Sequence, residues 1–156
     1  MEDPSTVDLF EVLDLCCAIE LASARLYHTF ASQHGAHPSL VALWRKVARE
    51  EENHAAQFNL AKVGKAAMVT GANVTVDDLR AMKAKLDDVV NKARSSVMPP
   101  RAAISLAIEL EDAMDRVHTV SVLVFAQPSH KRLFEAMMAA DREHAESLRR
   151  ALPNYE

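Results

Sequence analysis

Apolar residues recur along most of this chain at intervals of three and four, the period of helices that bury one face. One stripe runs Trp44, Val47, Ala48, Glu51, His54, Ala55 and Phe58; another, near the C-terminus, runs Phe134, Met137, Met138, Asp141, His144, Ala145 and Leu148. A third carries Ile104, Ala107, Ile108, Glu111, Met114, His118 and Val122, and a fourth carries Leu13, Cys16, Glu20, Ala24 and Tyr27. Each apolar face is therefore interrupted by carboxylates or imidazoles at positions that point to the core.

Proline, glycine and capping signals divide the pattern into five helical segments. The first is expected from about Ser5 to His34, where Gly35 offers the left-handed backbone that suits a helix end. The second starts at Pro38, a good first-turn residue, and its periodicity persists to about Met68. Thr70 to Val74 reads as a loop. Thr75 with Asp78 forms a variant capping box for a third segment that ends near Val97. Pro99 and Pro100 close it and open a fourth, expected to reach Ala126; after Gln127-Pro128-Ser129 the last helix continues to about Leu152.

Composition agrees with an all-α fold. Three glycines, six prolines and few aromatics, against many Ala, Leu, Glu, Lys and Met residues, favour helix over strand. At 156 residues one domain spanning 1–156 is the expectation. The net charge of -4 comes without a dense Lys/Arg run, which argues against a nucleic-acid partner. No stretch approaches the roughly 20 apolar residues of a membrane span, and the acidic start lacks the basic flank of a secretory signal, so a cytoplasmic location is expected. Cys16 and Cys17 are adjacent, which suits neither a disulfide framework nor a metal knuckle; they read as small buried hydrophobes.

The two halves of the chain repeat each other. Pro38-Ser39 matches Pro128-Ser129, Leu43-Trp44 matches Leu133-Phe134, and Glu51-x-x-His54-Ala55 matches Asp141-x-x-His144-Ala145 at an offset of 90. Glu20, Arg25 and Tyr27 match Glu111, Arg116 and His118 at an offset of 91. Short links around Pro38 and Pro128 make each half an antiparallel helical hairpin, and the Val76 to Val97 segment, with its Asp- and Lys-rich face, is the long crossover between them. Glu20 and Glu51 each lie about 13 residues from their shared turn, roughly 20 Å at 1.5 Å per residue, so they sit at similar heights. The second hairpin repeats this with Glu111 and Asp141.

Four carboxylates and two imidazoles thus share one level of a bundle. A carboxylate and a histidine at i and i+3 point at the same region, which suits a metal ion. Burying four carboxylates without partners costs several kcal/mol for each, and two divalent cations would neutralise them. Carboxylate pairs of this kind, each with a Glu-x-x-His motif, are the pattern of di-iron bundles. The candidate metal ligands are Glu20, Glu51, His54, Glu111, Asp141 and His144.

On these residues the chain resembles the rubrerythrin branch of the ferritin-like superfamily. The resemblance is carried by Glu20 with Tyr27, the run Ala48-Arg49-Glu50-Glu51-Glu52-Asn53-His54, Glu111, and the run Ala140-Asp141-Arg142-Glu143-His144-Ala145-Glu146, and it covers roughly residues 8 to 150. It implies a ferritin-like four-helix bundle holding two iron ions, with manganese or a mixed pair as alternatives. Glu51, with Asp141 or Glu111, is the bridging candidate, and Glu20, Glu51, Glu111 and Asp141 form the catalytic carboxylate set. The implied chemistry is reaction of reduced iron with hydrogen peroxide or dioxygen. Two departures qualify the match: Asp141 stands where the family has Glu, and the sequence lacks the paired Cys-x-x-Cys motifs of a rubredoxin-like domain. Electrons are then expected from a separate donor protein. Of Glu109, Asp112 and Asp115, the last is the best stand-in for a further family carboxylate.

Two other functions compete: iron oxidation for storage or delivery, which needs a cage or compartment, and a metal-free interaction bundle. A homodimer formed by helix packing is the expected assembly. Glu50, Glu52, Glu143 and Glu146 lie off the core stripe and are expected at the surface, while His28, His34, His37 and His130 are expected as surface or loop residues. Tyr27 and His118 are candidates for orienting the ligands or for plain core packing.

Overall fold

The computed structural model describes residues 9–63, 69–117 and 123–155. They form α1 (Leu9–Gln33), α2 (Pro38–Val63), β1 (Val69–Ala72), α3 (Val76–Ser95), α4 (Pro100–Val117), β2 (Leu123–Phe125) and α5 (Pro128–Ala151), with a closing 3-10 turn at Leu152–Tyr155. Helices dominate, as an all-α ferritin-like bundle requires. Among the described residues no helix is long and apolar enough to cross a membrane.

The link between α1 and α2 is short because its own backbone closes it. The His37 amide donates to the His34 carbonyl (2.9 Å), and the His37 carbonyl in turn accepts from the Val41 amide (3.0 Å), starting α2. Pro38 sits where a missing N–H costs nothing. Gly35, expected to be left-handed, has no positive φ, and the i to i+3 turn does the work instead.

The crossover helix is amphipathic. Thr75 caps α3 by accepting from the Asp78 amide (3.1 Å), with Asp77 and Asp78 in the first turn and Lys92 and Arg94 in the last, each matched to the helix dipole. Its Leu79, Met82, Leu86, Val90 and Ala93 are buried in the shared core. At its far end Gln33 of α1 donates to the Ala93 carbonyl (2.5 Å) and accepts from the Met98 amide (3.2 Å), so the end of α1 holds the segment that leads into α4.

The strands were not expected. β1 pairs antiparallel with β2, Val69 opposite Phe125 and Ala72 opposite Leu123, with an irregularity between Val69 and Gly71. The loop read at Thr70 to Val74 is therefore partly strand, and Leu123–Phe125, expected in the fourth helix, is strand, with the helix described from Pro100 to Val117. Segments of three or four residues show no period of their own, and their pairing is fixed by a partner about fifty residues away. The ribbon sits over aromatic packing at this end: Phe125 lies 5.1 Å from Phe134, which lies 5.7 Å from Phe58, ring centre to ring centre.

The core continues along the bundle through Ile19, Leu26, Tyr27, Phe30, Leu40, Trp44, Phe58, Ile104, Leu110 and Phe134, all fully buried. At about 1.5–3 kcal/mol for each large side chain, their burial is the main stabilising term and joins the helices in a shared core.

Candidate metal centre

Among the described residues, seven buried polar side chains interrupt this apolar column: Glu20 on α1, Glu51 and His54 on α2, Glu111 on α4, His144 on α5, His34 near the α1–α2 turn, and Ser23 on α1. The first five lie at one level. Glu20, Glu51 and His54 place one oxygen or nitrogen each within 4.8 Å of one another, and so do Glu51, Glu111 and His144. Glu51 belongs to both groups. The periodicity of each helix explains the convergence, since every one of these residues occupies a position on its core stripe.

The contacts give the site its shape. His54 Nδ1 is 3.7 Å from Glu20 Oε2, and His144 Nδ1 is 2.9 Å from Glu51 Oε1. The two imidazole rings stack, 5.7 Å between centres at 19°. Tyr27, wholly buried, donates its hydroxyl to Glu111 Oε1. Burial drives the Tyr27 phenol well above its ordinary pKa of 10.0, and the charges of Glu111 and Glu51, the Glu111 hydrogen bond and Glu20 push the same way. Tyr27 therefore keeps its proton and acts as a fixed donor to a carboxylate. Cys16, one turn from Glu20, is pushed up to about 12 by burial, then by Glu20 and Cys17, which leaves it an inert thiol. Cys17 is only half-buried, less enclosed than the sequence implied.

The donor set fits a pair of divalent first-row ions. Three carboxylates and two imidazoles, each no more than 5% exposed, offer the hard oxygens and borderline nitrogens such ions take. Three buried carboxylates at this separation repel one another strongly, and bound cations relieve that repulsion. Glu51 is the donor common to both groups.

The sixth expected ligand, Asp141, lies on α5 with its side chain outside the described residues, as His118 does entirely. Glu109 is exposed, Asp115 is half-buried, and Asp112 accepts from Arg149 (2.7 and 2.8 Å).

Several expectations change here. Glu50 is not a plain surface residue: its carboxylate contacts His144 Nε2. Glu52, by contrast, sits outside with His28 (2.7 Å), and Glu143 and Glu146 are exposed. His34 lies in the turn, as a loop residue would, but is buried rather than at the surface: its Nδ1 accepts from Trp44 Nε1 (2.9 Å), which leaves Nε2 to donate to the Met98 carbonyl (2.7 Å). Trp44 also stacks on Tyr27, 5.7 Å between centres at 18°, so the His34–Trp44 pair supports the tyrosine that holds Glu111. A histidine beside a glycine at a helix end reads as a loop residue, and only the indole ten positions on shows that this one is buried.

The Rubrerythrin family model matches residues 11–152, almost the whole chain. Comparison with curated proteins and with solved structures gives no match. Members of the matched family typically bind a di-iron centre, and the carboxylate and histidine groups above could hold metal ions. Sequence repeat, fold and family match agree, and the chain belongs to the rubrerythrin family of the ferritin-like superfamily.

Proposed function

We propose that this protein is a non-haem di-iron oxidoreductase that reduces hydrogen peroxide or reacts with dioxygen. One observation carries the reading: two buried groups of carboxylate and imidazole donors share Glu51. Glu20, Glu51 and His54 hold one ion, Glu51, Glu111 and His144 hold the other, and Asp141, one turn before His144, completes the six ligands. An iron pair supplies two electrons and open coordination positions to an oxygen substrate. The chain's own residues hold the carboxylates in place, exclude bulk water and keep a proton on Tyr27 at Glu111.

A separate donor protein is the proposed source of reducing equivalents. A homodimer is the proposed assembly. The test is anaerobic ferrous titration followed by peroxide or air under stopped-flow absorbance. About two irons per chain, oxidised faster by peroxide than by air, is the expected result. Equal rates with iron accumulating beyond two per chain would move the function to iron oxidation for storage or delivery, and less than one iron per chain would leave an interaction bundle.

A further inference from the structure

Glu50 precedes Glu51 on α2 and reaches across to α5, where its carboxylate contacts Nε2 of His144. Its side chain is 30% exposed while the histidine is 3% exposed, so the contact joins the rim of the bundle to the candidate centre. The other ring nitrogen, Nδ1, lies 2.9 Å from Glu51 Oε1. Both nitrogens of His144 thus face carboxylate oxygens, one inside the donor group and one outside it.

A neutral imidazole has one N–H and one lone pair, and its surroundings decide which nitrogen carries which. With the hydrogen on Nε2, the ring donates to Glu50 and turns the Nδ1 lone pair toward the point where Glu51 and Glu111 converge. With the hydrogen on Nδ1, the Nε2 lone pair would face the Glu50 carboxylate, acceptor against acceptor, in a nearly dry site. The first arrangement is the stable one when a cation sits at Nδ1.

We infer that Glu50 is a positioning residue of the metal centre: it accepts from Nε2–H of His144, fixes the ring's rotation and hydrogen placement, and leaves Nδ1 as the ligand atom. The inference rests on the metal-binding reading above. A carboxylate behind a ligating histidine also raises the basicity of the ligand, and its removal typically costs about 10–100-fold in metal affinity.

The repeat shows the arrangement to be one-sided. At the offset of 90 that aligns Glu51 with Asp141, Glu50 aligns with Ala140, which has no acceptor to offer His54 in return. Only the ion held by His144 is expected to respond to Glu50.

The test titrates the full-length metal-free chain with zinc alone, which is diamagnetic and redox-inert, in competition with a chromophoric chelator. In Glu50→Ala one of the two zinc affinities falls by about 10–100-fold while the other holds. Glu50→Gln, which keeps an acceptor oxygen, recovers most of the loss, and Glu143→Gln, which removes a nearby exposed carboxylate, changes neither constant. Nitrogen-15 spectra of the zinc-loaded wild type place the hydrogen of His144 on Nε2. A hydrogen on Nδ1, or zinc affinities unchanged in a helical Glu50→Ala protein, overturns the role of Glu50 alone. Wild-type protein that takes up no zinc overturns the metal-binding reading and the role of Glu50 together.

Discussion

The two hairpins descend from one pattern but support it differently. In the first, α1 and α2 meet at a turn closed by its own backbone, and Trp44, Tyr27 and His34 form a hydrogen-bonded aromatic column beside the site. In the second, α4 and α5 are separated by a strand, Phe134 stands where Trp44 stands, and its packing partners are Phe58 and Phe125. The donor chemistry was kept while the scaffolding diverged. Glu20 and Glu111 remain equivalent, as do His54 and His144, because each must reach the same level of the axis. The supporting residues were free to differ wherever another packing solution filled the space.

The comparison breaks most sharply at Glu51, which both donor groups share. Glu51→Ala is expected to remove both ions, taking ferrous stoichiometry from about two per chain to less than one. Glu20→Ala and Glu111→Ala, each affecting one group, should leave about one ion. Metal analysis after anaerobic loading and desalting measures all three. If Glu51→Ala keeps one ion at wild-type affinity, the two groups are independent sites and the bridge is wrong.

A second test converts one half toward the other. Trp44→Phe installs the residue of the second hairpin, but it strips the donor from His34 Nδ1 inside the core. An unsatisfied buried acceptor costs about 1–3 kcal/mol. The urea midpoint of the metal-free protein should fall accordingly, with an unchanged slope. An unchanged midpoint would show that the halves are interchangeable here and that the indole contributes only bulk.

Much of the architecture could be read before any coordinates. Helices of six or more turns average the 3.6-residue signal over many positions, and Glu51 with His54 falls on the core stripe of α2 without ambiguity. The ribbon could not be read, because Val69–Ala72 and Leu123–Phe125 are short and gain stability only from each other and from Phe134. Glu50 was missed for a different reason: it lies one residue off the stripe, and a long side chain reaches a neighbouring helix that helical phase alone does not place. The repeat held a hint, since Glu50 stands opposite Ala140 directly before the matched carboxylates Glu51 and Asp141.

The thiols test the same symmetry at lower energy. Cys16 and Cys17 align with Ala107 and Ile108, so the second half has apolar residues where the first has sulfur. A thiol that ionises near 9.0 in the unfolded chain and at about 12 when folded loses its proton first in the unfolded state. Below pH 9 both states keep the proton and the contribution is constant. Above it, stability falls by up to about 1.4 kcal/mol per pH unit until the folded thiol ionises near 12. Cys16→Ala removes that slope, measured by urea unfolding between pH 8 and 10. A slope that survives the substitution assigns the alkaline loss to other groups, Cys17 first among them, because its thiol is also raised from 9.0, with Tyr27 entering only from about pH 10 upward.

The smallest effect belongs to the turn that distinguishes the hairpins. Gly35 has no positive φ, and a methyl group built there meets nothing within 4 Å. Gly35→Ala therefore removes unfolded-state freedom without straining the folded turn, and should stabilise the protein by about 0.4–1 kcal/mol. The hydrogen bond from His37 to His34, not the glycine, then sets the first hairpin's geometry. A destabilisation larger than about 1 kcal/mol would instead mean that the turn uses the left-handed backbone in solution, as glycines at helix ends often do. In that case the first hairpin, like the second, would owe its closure to a special connection rather than to ordinary helix ends brought together by their buried faces.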